Sequence, residues 1–140
     1  MQINLLALKF ENNLNRRRIF ALLTLVSTLF GFMEWGGGNS TFVFSAEWEV
    51  LRKIFENPIS VFHPLIILPF VGQMILVISV IIPGINRWIS ISGIICAGLL
   101  FIMILLTGLF TLNVEVILSV MPFFIFSFMY LRSLNKPLHP

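Results

Sequence analysis

Two long apolar runs, which meet at a short hinge, dominate the hydrophobic pattern of this chain. No charged residue lies between Glu56 and Arg87, and none lies between Arg87 and Glu115. Because a helix needs about 20 apolar residues to cross a bilayer, each run is long enough to span. Pro83-Gly84 stops the first run, since proline lacks an N–H and glycine costs backbone entropy. The pattern predicts a transmembrane hairpin of helices over about 62–82 and 88–110.

A shorter apolar segment flanks this hairpin on each side. Arg16-Arg17-Arg18 precedes the first segment, and the arginine stems can snorkel to extend a short span. Neither segment has the charged face of a helix that lies on a membrane surface. We therefore expect an all-α integral membrane fold, one domain over 1–140, with four transmembrane helices at about 17–35, 62–82, 88–110 and 114–131. In the alternative arrangement only the central hairpin spans.

The polar segments outside the predicted spans are an N-terminal arm, 1–15, and a loop, 34–58. The arm forms either a short interfacial helix or a frayed end. In the loop, Gly36-Gly37-Gly38 predicts irregular structure. Ser45 is a candidate N-cap for an amphipathic helix over about 45–57, with Glu47 in its first turn, where the helix dipole favours negative charge. This helix carries Phe44, Trp48, Leu51 and Phe55 on one face, and the pairs Glu49–Lys53 and Arg52–Glu56 on the other.

The composition strengthens the membrane interpretation and removes several function classes. Hydrophobic residues make up 58% of the chain and charged residues only 11%, which is far from the range of soluble domains. The basic residues cluster at the ends of apolar segments, so they do not indicate nucleic-acid binding. The single cysteine, Cys96, excludes an intramolecular disulfide and a cysteine metal cluster. No motif for a cofactor or a metal is present.

The charge distribution predicts the orientation of the four spans. With four crossings, the two termini and the Pro83–Arg87 loop share one side. That side carries Lys9, Arg16, Arg17, Arg18, Arg87, Arg132 and Lys136, against Arg52 and Lys53 on the other. Because positive loops remain in the cytoplasm, both termini are expected to be cytoplasmic.

Five polar residues near or within the spans are candidates for a functional site. Ionisable groups inside a membrane are functional suspects, although groups at helix ends also serve as caps and interfacial residues. Gln73 lies deepest, and it could bond the carbonyl freed by Pro69, line a polar path or join two helices. The candidates are Glu34, His63, Gln73, Asn113 and Glu115.

Small residues on the predicted spans indicate helix packing, because they let membrane helices approach closely. The clearest stripe lies on the third span, and a second one, on the first span, is expected to contact it. The packing candidates are Gly31, Gly72, Ser90, Gly93 and Ala97.

Several elements resemble those of small four-span bacterial membrane proteins. They are Glu34-Trp35-Gly36, the Trp48–Phe55 helix, His63-Pro64 and Pro83-Gly84. The resemblance implies a bacterial inner membrane. The first loop lacks the cysteine pair of claudin-type proteins, which excludes that family. Asn39-Ser40-Thr41 matches the N-glycosylation pattern, which has meaning only in a eukaryotic cell.

These features favour a non-enzymatic structural or accessory subunit, in a homo-oligomer or a larger membrane complex. One alternative is a transporter or channel element with a path near Pro69, Gln73 and Pro122. Another is a lipid-binding protein or intramembrane enzyme that uses Glu34, His63 and Glu115. The last predicts that these three side chains converge on one cavity.

Overall fold

A computed structural model describes residues 2–35, 39–56 and 64–135 of the chain. Five helices account for most of these residues, and a short antiparallel β-hairpin joins the first helix to the second. The elements in chain order are α1 (Gln2–Leu29), β1 (Phe32–Trp35), β2 (Asn39–Phe42), α2 (Val43–Glu56), α3 (Pro64–Ile81), α4 (Arg87–Thr111) and α5 (Val114–Leu134).

The first third of the chain differs most from its prediction. One continuous helix, α1, replaces the separate arm and the span predicted over 17–35, and it ends at Leu29. Residues 32–35 form β1, which pairs with β2 in a register that sets Phe32 opposite Phe42. The Phe32 and Phe42 rings meet edge to face at 5.3 Å. This cross-strand aromatic contact stabilises a hairpin that the sequence analysis did not predict.

Helix α2 begins at Val43, directly after β2, so the prediction of Ser45 as its N-cap is wrong. The predicted ion pairs of its polar face are confirmed, with Lys53 Nζ 2.7 Å from Glu49 Oε1 and Arg52 3.7 Å from Glu56 Oε1. Its buried side is the stripe of Val43, Ala46, Glu47 and Val50, which faces the other helices.

The four longer helices pack side by side, each antiparallel to its neighbours. Along α1, Arg18 contacts the end of α3 and Thr28 contacts its middle. Arg17 of α1 contacts the end of α5. Beyond the C-terminus of α1, the Phe32 N–H donates to Ser119 Oγ, near the start of α5, at 2.9 Å. The small-residue stripe of α1 was expected to contact α4, but α1 packs chiefly on α3 and α5. Gly31, beyond the end of α1, lies against Phe101 of α4.

Helices α3 and α4 approach each other most closely through glycine. A Cβ atom at Gly72 would overlap the backbone N of Ala97 and lie 2.8 Å from the carbonyl oxygen of Gly93. Further along the same contact, the Ser79 and Ser90 hydroxyls form a buried hydrogen bond of 3.1 Å. Such close backbone contact is how helices associate in a medium without a hydrophobic driving force.

The contact of α4 with α5 is aromatic, and it follows from a tight connection. Leu112 adopts a left-handed conformation (φ 51°) that ends α4, and the Asn113 side chain then caps α5. This two-residue connection folds α5 back onto α4, where the Phe101 and Phe123 rings stack at 4.3 Å in the core. Helices α4 and α5 are each long and apolar enough to cross a membrane, and α3 contains a shorter apolar segment, Ile66–Ile81.

Candidate functional site

The two ends of the packed helices differ in the charge of their side chains. At one end, called here the arginine end, Arg17 and Arg18 of α1 reach the C-termini of α5 and α3. The buried Arg17 guanidinium donates to the carbonyl oxygens of Leu134 (3.0 Å) and Ser133 (3.4 Å). Arg18 donates to the carbonyl oxygen of Val80 at 3.1 Å. These arginines satisfy the carbonyls that a helix C-terminus leaves without a partner, and they complement its negative dipole.

The opposite end, called here the carboxylate end, comprises the β-hairpin, α2, Glu34 and Glu47. Its central residue is Gln73 of α3, which is buried and connects three helices. The Gln73 Nε2 group donates to Thr28 Oγ1 of α1 at 3.1 Å and to Glu47 Oε1 of α2. Since the Thr28 hydroxyl itself donates to the carbonyl of Leu25, both acceptors are available to the two amide hydrogens of Gln73. Gln73 therefore bonds side chains of neighbouring helices.

From the sequence, Glu47 was expected only in the first turn of the helix predicted over about 45–57, and its contact with Gln73 was missed. Burial raises the pKa of the Glu47 carboxyl above its usual range, although the hydrogen bond from Gln73 acts in the opposite direction. The neighbouring ion pairs join Glu49 to Lys53 and Arg52 to Glu56, so neither includes Glu47. A signal was present in the sequence, because Glu47 interrupts the i, i+4, i+7 stripe that Val43 and Val50 would otherwise form as an apolar face.

Among the remaining candidate site residues, the structure brings Asn113 and Glu34 together. Asn113 Nδ2 donates to Glu34 Oε2, and Asn113 Oδ1 accepts from the backbone N–H groups of Glu115 (3.0 Å) and Val116 (3.3 Å). Asn113 is thus the N-cap of α5 and also fixes Glu34. The Glu115 side chain is exposed, and the bond to Asn113 uses its backbone. His63 lies outside the described residues.

Two apolar clefts lie at the carboxylate end, and each contains one carboxylate. The first, of about 190 Å³, lies between β1, α2, α3 and α4, and Glu47 lines it together with Pro69 and Phe70. The second, of about 210 Å³, lies between β1, α4 and α5, and Glu34 lines it. Met33 and Leu100 border both clefts. This arrangement can hold an apolar group and place one charged or hydrogen-bonding atom against it.

The residues of the predicted transport path lie on two different helices. Pro69 and Gln73 lie on α3, and Pro122 lies on α5; each of these helices packs on both α1 and α4.

Within the described residues, no three histidine, cysteine or acidic side chains come together as metal ligands would. The half-buried Cys96 lies on α4, beside the contact with Gly72.

The packing candidates lie where helices approach one another. Ser90, Gly93 and Ala97 are buried on α4 against α3, and Gly72 faces them. Gly31 lies between Val43 and Phe101.

Comparison of the chain with protein-family models, curated proteins and solved structures found no match.

Proposed function

We propose that this protein is a four-span integral membrane protein and a non-enzymatic structural or accessory subunit, which associates with copies of itself or with a larger membrane complex. Large apolar side chains on the outer faces of all four long helices support membrane insertion. On α4, for example, Ile95 is 58% exposed and Phe110 is 86% exposed. Continuous apolar surface of this kind is costly in water and favourable in lipid.

The alternation of the helices supports four crossings. Because α1, α3, α4 and α5 run antiparallel to their neighbours, Arg17, Arg18, Arg87 and Arg132 all lie at the arginine end. Glu34 and Glu47 lie at the other end with the β-hairpin. The positive-inside rule then gives a cytoplasmic arginine end, with both termini in the cytoplasm of a bacterial cell.

The observation that carries the proposed association is the outward face of α2. The glycines in α3 and α4 face other helices of the same chain, so they are not available for close contact with a further helix. On α2, by contrast, Phe44, Trp48 and Phe55 form an exposed aromatic stripe at helical spacing, beside the ion-paired stripe. Aromatic anchors bordered by charged groups are typical of interfaces, and they suit the membrane surface as well.

Site-specific photocrosslinking tests this proposal. A photoreactive amino acid at position 48 should give protein adducts in native membranes, whereas one at Ile102, on the apolar face of α4, should react with lipid alone. Native mass spectrometry in mild detergent should show more than one protein chain per particle. A monomer without adducts at either position would overturn the proposed association.

Thiol labelling tests the topology separately. In a Cys96→Ala background, a single cysteine at Lys53 should react with a membrane-impermeant reagent from outside intact spheroplasts. A cysteine at Arg87 should react only after the membrane is opened. Equal labelling of the two positions from outside would overturn the four-span arrangement.

A further inference from the structure

Among the described residues, the cleft lined by Glu47 combines an apolar wall with a single acidic group. Its apolar or aromatic surface comes from Met33, Val43, Ala46, Val50, Pro69 and Phe70. The volume of about 190 Å³ exceeds the roughly 150 Å³ of a cavity that holds one benzene molecule. The cleft therefore has room for an apolar group about the size of one aromatic ring.

The charge of the cleft selects among possible ligands. Within the described part of the chain, Glu47 accepts a hydrogen bond from the neutral amide of Gln73, and the basic residues of α2 pair with Glu49 and Glu56. The described residues that line the cleft include no arginine or lysine. A carboxylate in apolar surroundings is stabilised by a cation or by hydrogen-bond donors. A phosphate or carboxylate group would find no positive partner among these described residues.

From this combination we propose that the cleft binds a small lipophilic cation, with an apolar body of about one ring and an ammonium group that pairs with Glu47. The ammonium donates to the carboxylate, whose other interaction, with Gln73, keeps the side chain in place. The half-buried Phe70 lines the same cleft, and an aromatic ring face attracts a cation. The apolar body takes the space between α2, α3 and Leu100.

Three benzyl compounds of similar size separate charge from shape. Binding of benzylammonium, benzyl alcohol and benzoate to the purified protein in detergent is measured by saturation-transfer NMR and titration. The ammonium should bind at least about tenfold more tightly than the alcohol, because both can donate a hydrogen bond to the carboxylate but only the ammonium adds the attraction between opposite charges. Benzoate should bind most weakly. Equal affinity for ammonium and alcohol, or no ammonium binding, would overturn the proposal.

Matched variants locate the site. Glu47→Gln keeps an oxygen that can accept from Gln73, so it should fold, yet it should lose the preference for ammonium. Glu49→Gln alters an exposed carboxylate on the same helix, and Glu34→Gln alters the carboxylate of the second cleft; both should bind as the original protein does. Loss of binding in Glu34→Gln, with retention in Glu47→Gln, would overturn the assignment to this cleft. Binding of phosphatidylethanolamine in place of the simple ammonium would also overturn it, since that headgroup carries a phosphate.

Discussion

At the arginine end a charged side chain bonds backbone carbonyls, and at the carboxylate end one bonds a side-chain amide, but the two contacts have different consequences. Arg17 donates to the last carbonyls of α5, which lack a partner within the helix, and so joins α1 to the end of α5. The half-buried Glu47 meets the amide of Gln73 and an apolar cleft, so its carboxylate is partly desolvated. The contacts of the arginine end therefore join helices, whereas those of the carboxylate end leave room for the proposed ligand.

The contact between α3 and α4 supports both ends, and breaking it should have the largest effect. In Gly72→Ala the new methyl group would overlap the backbone of α4, and backbone cannot move aside as a flexible side chain can. We expect a loss of about 3 kcal/mol or more in the free energy of unfolding. Thermal denaturation in detergent, followed by circular dichroism, measures it. Gly98→Ala is the control, because its Cβ would lie 3.7 Å from the Phe123 ring; equal losses would contradict the proposed close contact.

Removal of the buried arginine tests the arginine end alone. Arg17→Met retains much of the apolar stem but leaves the Ser133 and Leu134 carbonyls without this donor. We expect a loss of about 2–3 kcal/mol in unfolding free energy, because hydrogen bonds from charged donors are among the stronger ones. Arg16→Met, at an exposed position, should change stability little. The same loss in both variants would show that the α5 contact is not what stabilises this end.

At the carboxylate end, Gln73→Leu should cost less. The substitution removes the bonds to Thr28 and Glu47 and leaves a carboxylate beside an apolar side chain. Side-chain hydrogen bonds between membrane helices are individually weak, so we expect a loss of about 1–2 kcal/mol. The double variant Gln73→Leu, Glu47→Leu should recover part of it. A double-mutant cycle with no coupling between the two positions would contradict the bridge.

The sequence predicted what depends on long apolar runs and on the turns between them. It missed the cap of α2 and what depends on contacts between distant segments. The bounds of α3, α4 and α5 follow from Pro83-Gly84 and from Asn113, and the ion pairs of α2 follow from i, i+4 spacing. The β-hairpin was missed because its residues, 32–35 and 39–42, are too few to show a strand period. Gln73 attracted attention as a lone polar residue in an apolar run. Its partner Glu47 did not, since a glutamate in a first turn has an ordinary explanation.

The difference between the two ends also predicts a pH effect, which is small but has a definite sign. Burial raises the pKa of Glu47 in the folded protein, so its contribution to stability is present at low pH and is lost as the pH rises through that raised value. Glu47→Gln removes this dependence. The melting temperature of the variant, relative to that of the original protein, should therefore increase as the pH rises from about 4 to about 8. Glu49 is the matched control of opposite sign, because the hydrogen bond and charge of Lys53 lower its pKa; Glu49→Gln should lose relative stability over the same rise. Parallel curves for the two variants would show that Glu47 is as well solvated as Glu49, and the distinction between the closed arginine end and the binding-competent carboxylate end would fail.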